Sequence, residues 1–155
     1  MKKTVSFLAL PTFFWLSCFL FAFAQDDGRA IVGLWLPSNG KARINIYETK
    51  TGKFAGKIVW LKEPIDPNTG KPKVDKNNPD KEKQNQPLMG LVLLKGFVYK
   101  GNNTWEDGTI YDPESGSTYN CIIKMPDKNT LDVRGYIGVS LFGRTDTWTR
   151  LQLKK

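Results

Sequence analysis

Six side chains combine a charge or a polar tip with an aromatic or extended apolar body, the mixture that small-molecule pockets use. Arginine pairs with carboxylates and phosphates, while tryptophan and tyrosine cover apolar groups and keep one hydrogen-bonding atom. We therefore predict that they bind a small amphiphilic or acidic ligand, although each residue alone is also explained as a stabiliser of the core or the surface. The candidate ligand-binding residues are Trp60, Tyr111, Arg134, Tyr136, Arg144 and Trp148.

Catalytic chemistry has a weaker basis. Histidine is absent from the 155 residues, which excludes Ser-His-Asp and Cys-His catalysis and histidine-ligated metal sites. Glu106, Asp107, Asp112 and Glu114 cluster around one predicted hairpin and could serve as acid and base in a glycan hydrolase. Asp107-Gly108 and Asp112-Pro113 are also ordinary turn signals. We predict no enzymatic activity and keep a carboxylate-based glycan hydrolase as the weakest alternative.

Oxygen ligands for calcium occur at Asp75, Asn77 and Asp80. A calcium loop needs such oxygens at alternating positions, a glycine at the sixth and a closing glutamate, and this spacing is absent. Asx turns and a helix cap account for the same residues. The sequence predicts no metal site and no cofactor.

The formal net charge is +8, yet the basic residues are mixed with acids. The segment 62–90 alone holds six lysines against five acidic residues, which is a solvated segment and not an electrostatic stripe. We expect no nucleic-acid partner.

Short β-rich runs separated by turn residues carry these side chains, and no segment shows a sustained helical period. The sequence predicts an all-β domain with eight strands. They are expected at Ile31–Leu36, Ala42–Glu48, Phe54–Leu61, Leu91–Tyr99, Thr104–Tyr111, Thr118–Met125, Thr130–Ile137 and Arg144–Leu153.

Hairpin turns between these runs favour antiparallel pairing of successive strands. Closing eight strands into a barrel removes the sheet edges that would invite aggregation. Such a barrel is filled by side chains or holds one small ligand. We predict a single eight-stranded antiparallel barrel with one long loop, and a β-sandwich is the alternative architecture.

The long loop, residues 62–90, contains five prolines and no aromatic residue, which excludes a core strand. Asn78 followed by Pro79 suits a helix N-cap and first helical position, with a short turn ending at Asn85. The loop is either a solvated excursion over one barrel end or a lid over its mouth.

The two ends of the chain are expected to meet. Gly33-Leu34-Trp35 opens the first strand and Arg150 lies in the last, so a tryptophan plugging the barrel floor would have a guanidinium stacked across it. This arrangement resembles the closure of lipocalin-like barrels. We therefore assign Trp35 and Arg150 to structural closure and not to ligand binding.

Several ordered motifs extend the likeness over nearly the whole chain after residue 24. They are Gly33-Leu34-Trp35, Gly56 to Trp60, Asp75 to Asp80, Gly108 to Pro113 with Tyr119, Arg134-Gly135-Tyr136, Leu141 to Arg144 and Trp148 to Arg150. With these motifs the chain resembles the bacterial domain-of-unknown-function family twenty-one forty-seven. The resemblance implies a small exported β-barrel without an assigned biochemical activity.

Residues 1–24 have the pattern of a secretory signal peptide. Lys2 and Lys3 precede an apolar run from Val5 to Phe23, and Ala22-Phe23-Ala24 marks a cleavage point. The alternatives are a membrane anchor, which Pro11 disfavours, and a lipoprotein modified at Cys18. We predict cleavage after Ala24, a periplasmic or secreted destination, a barrel domain at residues 25–155 that does not span the membrane, and a charge of +6.

Cleavage leaves Cys121 as the single cysteine, so an internal disulfide cannot form. We expect Cys121 to be a small buried apolar residue.

The leading functional hypothesis is an exported, non-catalytic β-barrel of the bacterial envelope that binds a small amphiphilic or acidic molecule at one mouth. Arg134 or Arg144 would pair with an anionic head, and the aromatic residues would cover an apolar body. The second hypothesis is an envelope module that binds another protein through the 62–90 loop or the outer barrel face.

Overall fold

The computed structural model describes residues 28–152. The predicted signal peptide at residues 1–24, its cleavage point and Cys18 lie outside the described residues, so export stays a prediction. Within the described range, none of the helical segments is long and apolar enough to cross a lipid bilayer.

The described residues form eight strands and three short 3-10 helices. The strands are β1 (Gly33–Leu36), β2 (Ala42–Glu48), β3 (Phe54–Leu61), β4 (Val92–Tyr99), β5 (Thr104–Asp112), β6 (Ser117–Asp127), β7 (Thr130–Tyr136) and β8 (Arg144–Arg150). The 3-10 helices are Arg29–Ile31, Lys81–Lys83 and Ser140–Phe142. All eight predicted strands are present, and their bounds differ from the predicted ones by a few residues at the ends.

Every strand pairs antiparallel with the next one in sequence, and β1 pairs with β8 to close the barrel. In the closing pair Trp35 lies opposite Arg150 and Leu36 lies opposite Thr149. The prediction of a closed eight-stranded antiparallel barrel is confirmed, and the sandwich alternative is wrong. Closure leaves β1 and β8 without free edges over this stretch, which protects the sheet from pairing with another chain.

The start of β1 differs from the prediction. Ile31 ends a 3-10 helix and is not part of the strand. Gly28 before this helix has a φ of 76°, in the left-handed region that glycine adopts without a steric penalty. The turn directs Ile31 into the core, where it is fully buried, and Ile31 therefore plugs the barrel end instead of extending the sheet.

Alternate positions along the strands face the barrel interior. Ile44 and Ile46 of β2 and Leu131 and Val133 of β7 are buried, while the residues between them are exposed or half-buried. Cys121 of β6 belongs to the same core and is 1% exposed. This period of two is the signal by which the strands were predicted.

The antiparallel order gives the barrel two different ends. The β1–β2, β3–β4, β5–β6 and β7–β8 connections share one end, which we call the open end. The remaining connections and both termini of the barrel lie at the opposite, closed end. Large aromatic side chains fill the closed half: Trp35, Phe54, Phe97 and Trp105 are at most 2% exposed.

The β3–β4 connection is an ordered structure folded onto the barrel. Backbone hydrogen bonds join its two halves, with Asp75 N donating to Gln86 O and Leu88 N donating to Lys73 O, each at 2.9–3.0 Å. The short helix Lys81–Lys83 is capped by Asp80, whose side chain accepts from Glu82 N. The prediction that Asn78 caps it is wrong, because the Asn78 side chain accepts from Asp80 N in the turn that precedes the helix.

Candidate functional site

A cavity of about 720 Å³ opens at the open end of the barrel. Its buried wall is apolar and is formed by Ile44, Ile58, Leu93, Val133 and Trp148. The space exists because small residues occupy inward positions here: Ala42 and Gly135 line the cavity, whereas aromatic side chains fill the closed half. Its volume lies in the usual range of ligand pockets, roughly 300 to 1,000 Å³.

Charged residues surround the mouth, and most of them are already paired. Lys41 Nζ and Glu114 Oε1 form a salt bridge of 2.7 Å that joins the β1–β2 and β5–β6 connections. The hydrogen bond and charge of Glu114 raise the pKa of Lys41 above its ordinary value. The Asp112 carboxylate accepts from Glu114 N and Ser115 Oγ within its own turn. These groups therefore stabilise the rim.

Asp146 and Trp148 form a polar pair in the cavity wall. The Trp148 indole Nε1 donates to Asp146 Oδ2 at 2.7 Å, and Ser38 Oγ donates to Asp146 Oδ1. Trp148 is 3% exposed, so this carboxylate satisfies the one polar atom of a buried ring. The pair fixes the ring as part of the apolar wall.

Arg144 differs from the other ionic groups at the mouth. It is the first residue of β8, it is exposed, and it lines the cavity. Among residues 28–152 its guanidinium has no hydrogen-bond or ion-pair partner. A free guanidinium at the mouth of an apolar cavity can pair with a carboxylate or phosphate in a bidentate manner.

The cavity brings together four of the six predicted ligand-binding residues. Tyr111, Tyr136, Arg144 and Trp148 line it. Trp60 and Arg134 do not line it, each for a different physical reason.

A β-bulge turns Trp60 away from the interior. Arg43 pairs with Trp60 and Ile44 pairs with Ile58, so Val59 has no partner on β2. This extra residue reverses the alternation beyond Ile58. Trp60 instead stacks under the guanidinium of exposed Arg43, whose Cζ lies 4.5 Å from the ring centroid.

The guanidinium of Arg134 donates hydrogen bonds to the β7–β8 connection and to the start of β8. Its Nε donates to Ser140 O at 2.8 Å, its Nη2 to Leu141 O at 3.0 Å, and its Nη1 to Thr145 Oγ1 at 2.9 Å. Of the two arginines predicted to pair with an anionic head, only Arg144 lines the cavity.

Tyr111 lines the cavity, but its hydroxyl is committed to Asp75 of the long connection. Tyr111 Oη donates to Asp75 Oδ1 at 2.8 Å, and Asn78 Nδ2 donates to Oδ2 at 2.7 Å. Asp75 is fully buried. Burial and the hydrogen bond to Asp75 raise the pKa of Tyr111 to about 12. Asp75 thus anchors the long connection to β5, a role that sequence reasoning missed when it assigned Asp75 to a turn.

The closed end contains the predicted tryptophan–arginine contact. Arg150 Cζ lies 4.1 Å from the centroid of the fully buried Trp35 ring. The guanidinium also donates to three carbonyl oxygens, those of Lys128, Val32 and Ala30, at 2.6–3.0 Å. Burial lowers the pKa of Arg150. The contact joins both ends of the barrel chain at the side opposite the cavity.

A second groove, of about 520 Å³ and lined by polar and apolar residues, adjoins the cavity mouth. It lies between the long connection and the β5–β6 turn and shares Lys41, Leu61 and Glu114 with the cavity wall. Lys62 and Lys76 also line the groove. A ligand with a polar part larger than one carboxylate has room there.

Glu106 and Asp112, two of the carboxylates considered for hydrolysis, lie far apart. Glu106 and Asp112 are six residues apart on β5, about 20 Å for an extended strand. Paired glycosidase carboxylates stand about 5 to 9.5 Å apart. Asp107 forms a 2.6 Å salt bridge with Lys100. Glu106 and Asp112 therefore do not form such a pair.

Other reactive groups are buried or dispersed. Burial raises the pKa of the Cys121 thiol to about 12. Between residues 28 and 152, no three acidic or cysteine side chains lie together as a metal site would require. Asn77, considered for calcium, donates to the carbonyls of Pro113 and Glu114 and holds the long connection to the β5–β6 turn.

Sequence reasoning also missed residues that line the cavity. Tyr119 lies two positions before inward-facing Cys121 and lines the wall. The period of two would have found it. Ile137 and Phe142 come from the β7–β8 connection, for which no periodic signal exists.

A bacterial family described as an uncharacterized protein conserved in bacteria, DUF2147, matches residues 33–150. The chain belongs to this family. The match begins at the first residue of β1 and ends at the last residue of β8, so the DUF2147 unit is the closed barrel itself.

A solved structure supports the same architecture. Protein HP1028 from the human pathogen Helicobacter pylori, described as belonging to the lipocalin family, is 25% identical to the chain and superposes with a TM-score of 0.66. The match covers 78% of this chain and 82% of the other. None of the curated proteins matches the chain. The barrel is thus lipocalin-like in fold, and its family carries no assigned activity.

Proposed function

We propose that this protein is an exported, non-catalytic carrier that binds one small amphiphilic molecule in the open half of its barrel. The apolar body of the ligand occupies the cavity, and its anionic head pairs with Arg144. The cavity carries this proposal: about 720 Å³ of space with an apolar buried wall and one uncommitted guanidinium at its mouth.

The distribution of polar groups supports an anionic head and an apolar body. The polar atom of Trp148 is satisfied by Asp146, and the hydroxyl of Tyr111 is satisfied by Asp75. Both rings therefore offer their apolar faces to a ligand. Lys41 is paired with Glu114. Of the two basic residues that line the cavity, Arg144 is therefore the one without an ion-pair partner among residues 28–152. Lipid fragments and acidic envelope metabolites have this chemistry.

Binding is tested with the polypeptide that begins at Gln25, a dansyl-labelled medium-chain fatty acid and its neutral amide. We expect saturable fluorescence enhancement with one site and tighter binding of the acid. Arg144→Gln should weaken binding of the acid about 10- to 150-fold, since a charge-assisted hydrogen bond is worth about 1.5 to 3 kcal/mol, and should leave the amide unaffected.

The matched control is Arg43→Gln, because Arg43 stacks on Trp60 outside the cavity wall. Native mass spectrometry of the protein purified without added ligand should show a co-purified molecule of low mass. Absence of that molecule together with no binding of acid or amide would refute the carrier proposal.

Export is part of the proposal and rests on residues 1–24. The basic start, apolar run and Ala22-Phe23-Ala24 triplet support cleavage after Ala24 and a periplasmic or secreted destination. Cell fractionation followed by N-terminal sequencing tests it. A mature chain that begins at Gln25 outside the cytoplasm is expected, and an uncleaved chain in the cytoplasm would contradict it.

A further inference from the structure

The β7–β8 connection, residues 137–143, exposes four large apolar side chains, and we call this segment the tip. Ile137, Val139, Leu141 and Phe142 are 75%, 59%, 79% and 80% exposed. The other exposed large apolar residues of the described chain reach 36–47% and are scattered. Apolar residues concentrated at one exposed point mark an interaction site.

Hydrogen bonds within the protein satisfy three backbone carbonyl groups of the tip. Arg134 donates to the carbonyl oxygens of Ser140 and Leu141, and Phe142 N donates to Val139 O. A hydrocarbon environment offers no partners to free carbonyl groups, so a segment that enters it needs internal partners. Arg134 therefore satisfies two carbonyl groups of a segment whose large apolar side chains are exposed.

The charge pattern of the tip fits an anionic lipid headgroup. From residue 137 to 145 the sequence contains no acidic residue and one basic residue, Arg144. The next residue, Asp146, accepts hydrogen bonds from Ser38 and Trp148. Arg144 directly follows the tip and has free donors within the described part of the chain. Apolar residues beside a cation are the arrangement by which proteins bind the boundary between headgroups and acyl chains.

We propose that the tip inserts into the surface of a lipid bilayer that contains anionic phospholipid, and that the cavity exchanges its ligand there. Ile137 and Phe142 belong both to the tip and to the cavity wall, so an apolar path leads from the bilayer into the barrel. The exchange rests on the proposed carrier function, whereas the docking does not.

The size of the tip favours a lipid surface over another protein. A stable protein interface buries about 800 Å² on each partner. At about 25 cal/mol per Å², the roughly 1.5 to 3 kcal/mol of one large apolar side chain corresponds to about 60 to 120 Å² of buried surface. Four such side chains bury about 240 to 480 Å², which is less than two thirds of that area. Insertion into a bilayer needs only the apolar side chains themselves.

Docking is tested by co-sedimentation of the polypeptide from Gln25 with sucrose-loaded vesicles of phosphatidylcholine, with and without phosphatidylglycerol. All eight strands and the buried core lie between residues 28 and 152, so this polypeptide contains the complete barrel. We expect binding to the vesicles that contain phosphatidylglycerol. Leu141→Asp should weaken it at least tenfold, because a carboxylate cannot enter the bilayer. The matched control Ile65→Asp changes an exposed apolar residue of the long connection and should bind like the wild type.

Three results would overturn the docking proposal: no vesicle binding by the wild type, equal binding by Leu141→Asp, or an equal loss in Ile65→Asp. A wild-type dimer that Leu141→Asp dissociates, without vesicle binding, would make the tip a protein interface instead.

Fatty-acid affinity measured without vesicles separates the docking proposal from the carrier proposal. Leu141→Asp should retain it, since Leu141 does not line the cavity. Vesicle binding with neither fatty-acid or amide binding nor a co-purified molecule would refute the carrier proposal and leave the docking proposal intact.

Discussion

Replacing Tyr111 by phenylalanine tests whether Asp75 anchors the long connection to the barrel. The substitution removes one hydroxyl and keeps the ring in the cavity wall. It leaves Oδ1 of Asp75 without its donor at 2.8 Å, while Asn78 continues to donate to Oδ2. Asp75 is fully buried, so water cannot replace the hydroxyl without opening the connection.

The expected cost follows from that burial. A hydrogen bond to a charged group contributes about 1.5 to 3 kcal/mol, and an unsatisfied buried acceptor costs a similar amount. No salt bridge to Asp75 occurs among the described residues, so hydrogen bonds alone stabilise its carboxylate. We expect Tyr111→Phe to lower the free energy of unfolding, or of opening the connection, by about 2 to 3 kcal/mol. This corresponds to a roughly 30- to 150-fold larger open population.

Two assays separate the outcomes. Urea denaturation measures the global free energy of unfolding, and native-state proteolysis within residues 62–90 measures opening of the connection. The matched control is Tyr119→Phe, because Tyr119 also lines the cavity and its hydroxyl has no partner within residues 28–152. If Tyr111→Phe and Tyr119→Phe agree within about 0.5 kcal/mol in both assays, a size typical of neutral substitutions, the anchor hypothesis is wrong.

Three further predictions concern Arg150, the hydroxyl of Tyr111 and the thiol of Cys121. Arg150→Lys should lower the free energy of unfolding in urea by about 2 to 4 kcal/mol, because a lysine cannot reach three carbonyls and cover Trp35 together. The control is Arg43→Lys on the outer face. If the two substitutions lower the free energy of unfolding equally, Arg150 has no special role in closure. The pKa of Tyr111 is about 12 in the folded protein against an ordinary 10.0, so the unfolded chain loses this proton first and stability that is complete below about pH 10 should fall as pH rises to about 12. Tyr111→Phe should show a smaller fall in unfolding free energy across that window. Iodoacetamide should label Cys121 at neutral pH only as fast as the barrel opens, since burial raises the pKa of its thiol to about 12; rapid labelling of the folded protein would contradict this.

The strands could be predicted because the barrel obeys a local rule. Ile44 and Ile46, or Leu131 and Val133, repeat with a period of two, and glycine and asparagine turns separate the runs. Closure could be predicted from the ends of the chain, since Trp35 and Arg150 are residues that pack and stack together. Both signals depend on neighbouring residues or on adjacent strands.

The position of Trp60 could not be predicted in the same way. Whether it faces inward depends on one unpaired residue, Val59, in the β2–β3 pair. Nothing in the local sequence marks this bulge, because neither a glycine nor a proline occurs there. Burial of Asp75 was hidden for a related reason: its partner Tyr111 lies 36 residues away, and only the folded chain brings the two together.

The three arginines Arg134, Arg144 and Arg150 differ in the number of hydrogen bonds that they donate within the protein. A guanidinium has five donor hydrogens in a fixed plane, and the sequence does not tell which acceptors it finds. Arg150 donates to three carbonyls at the closed end, and Arg134 donates to three oxygens around the tip. Arg144 lies one strand from Arg134, yet it retains its donors at the mouth of an apolar cavity. Of these three arginines, the one whose donors have no partner among residues 28–152 is therefore the one best placed to pair with a ligand.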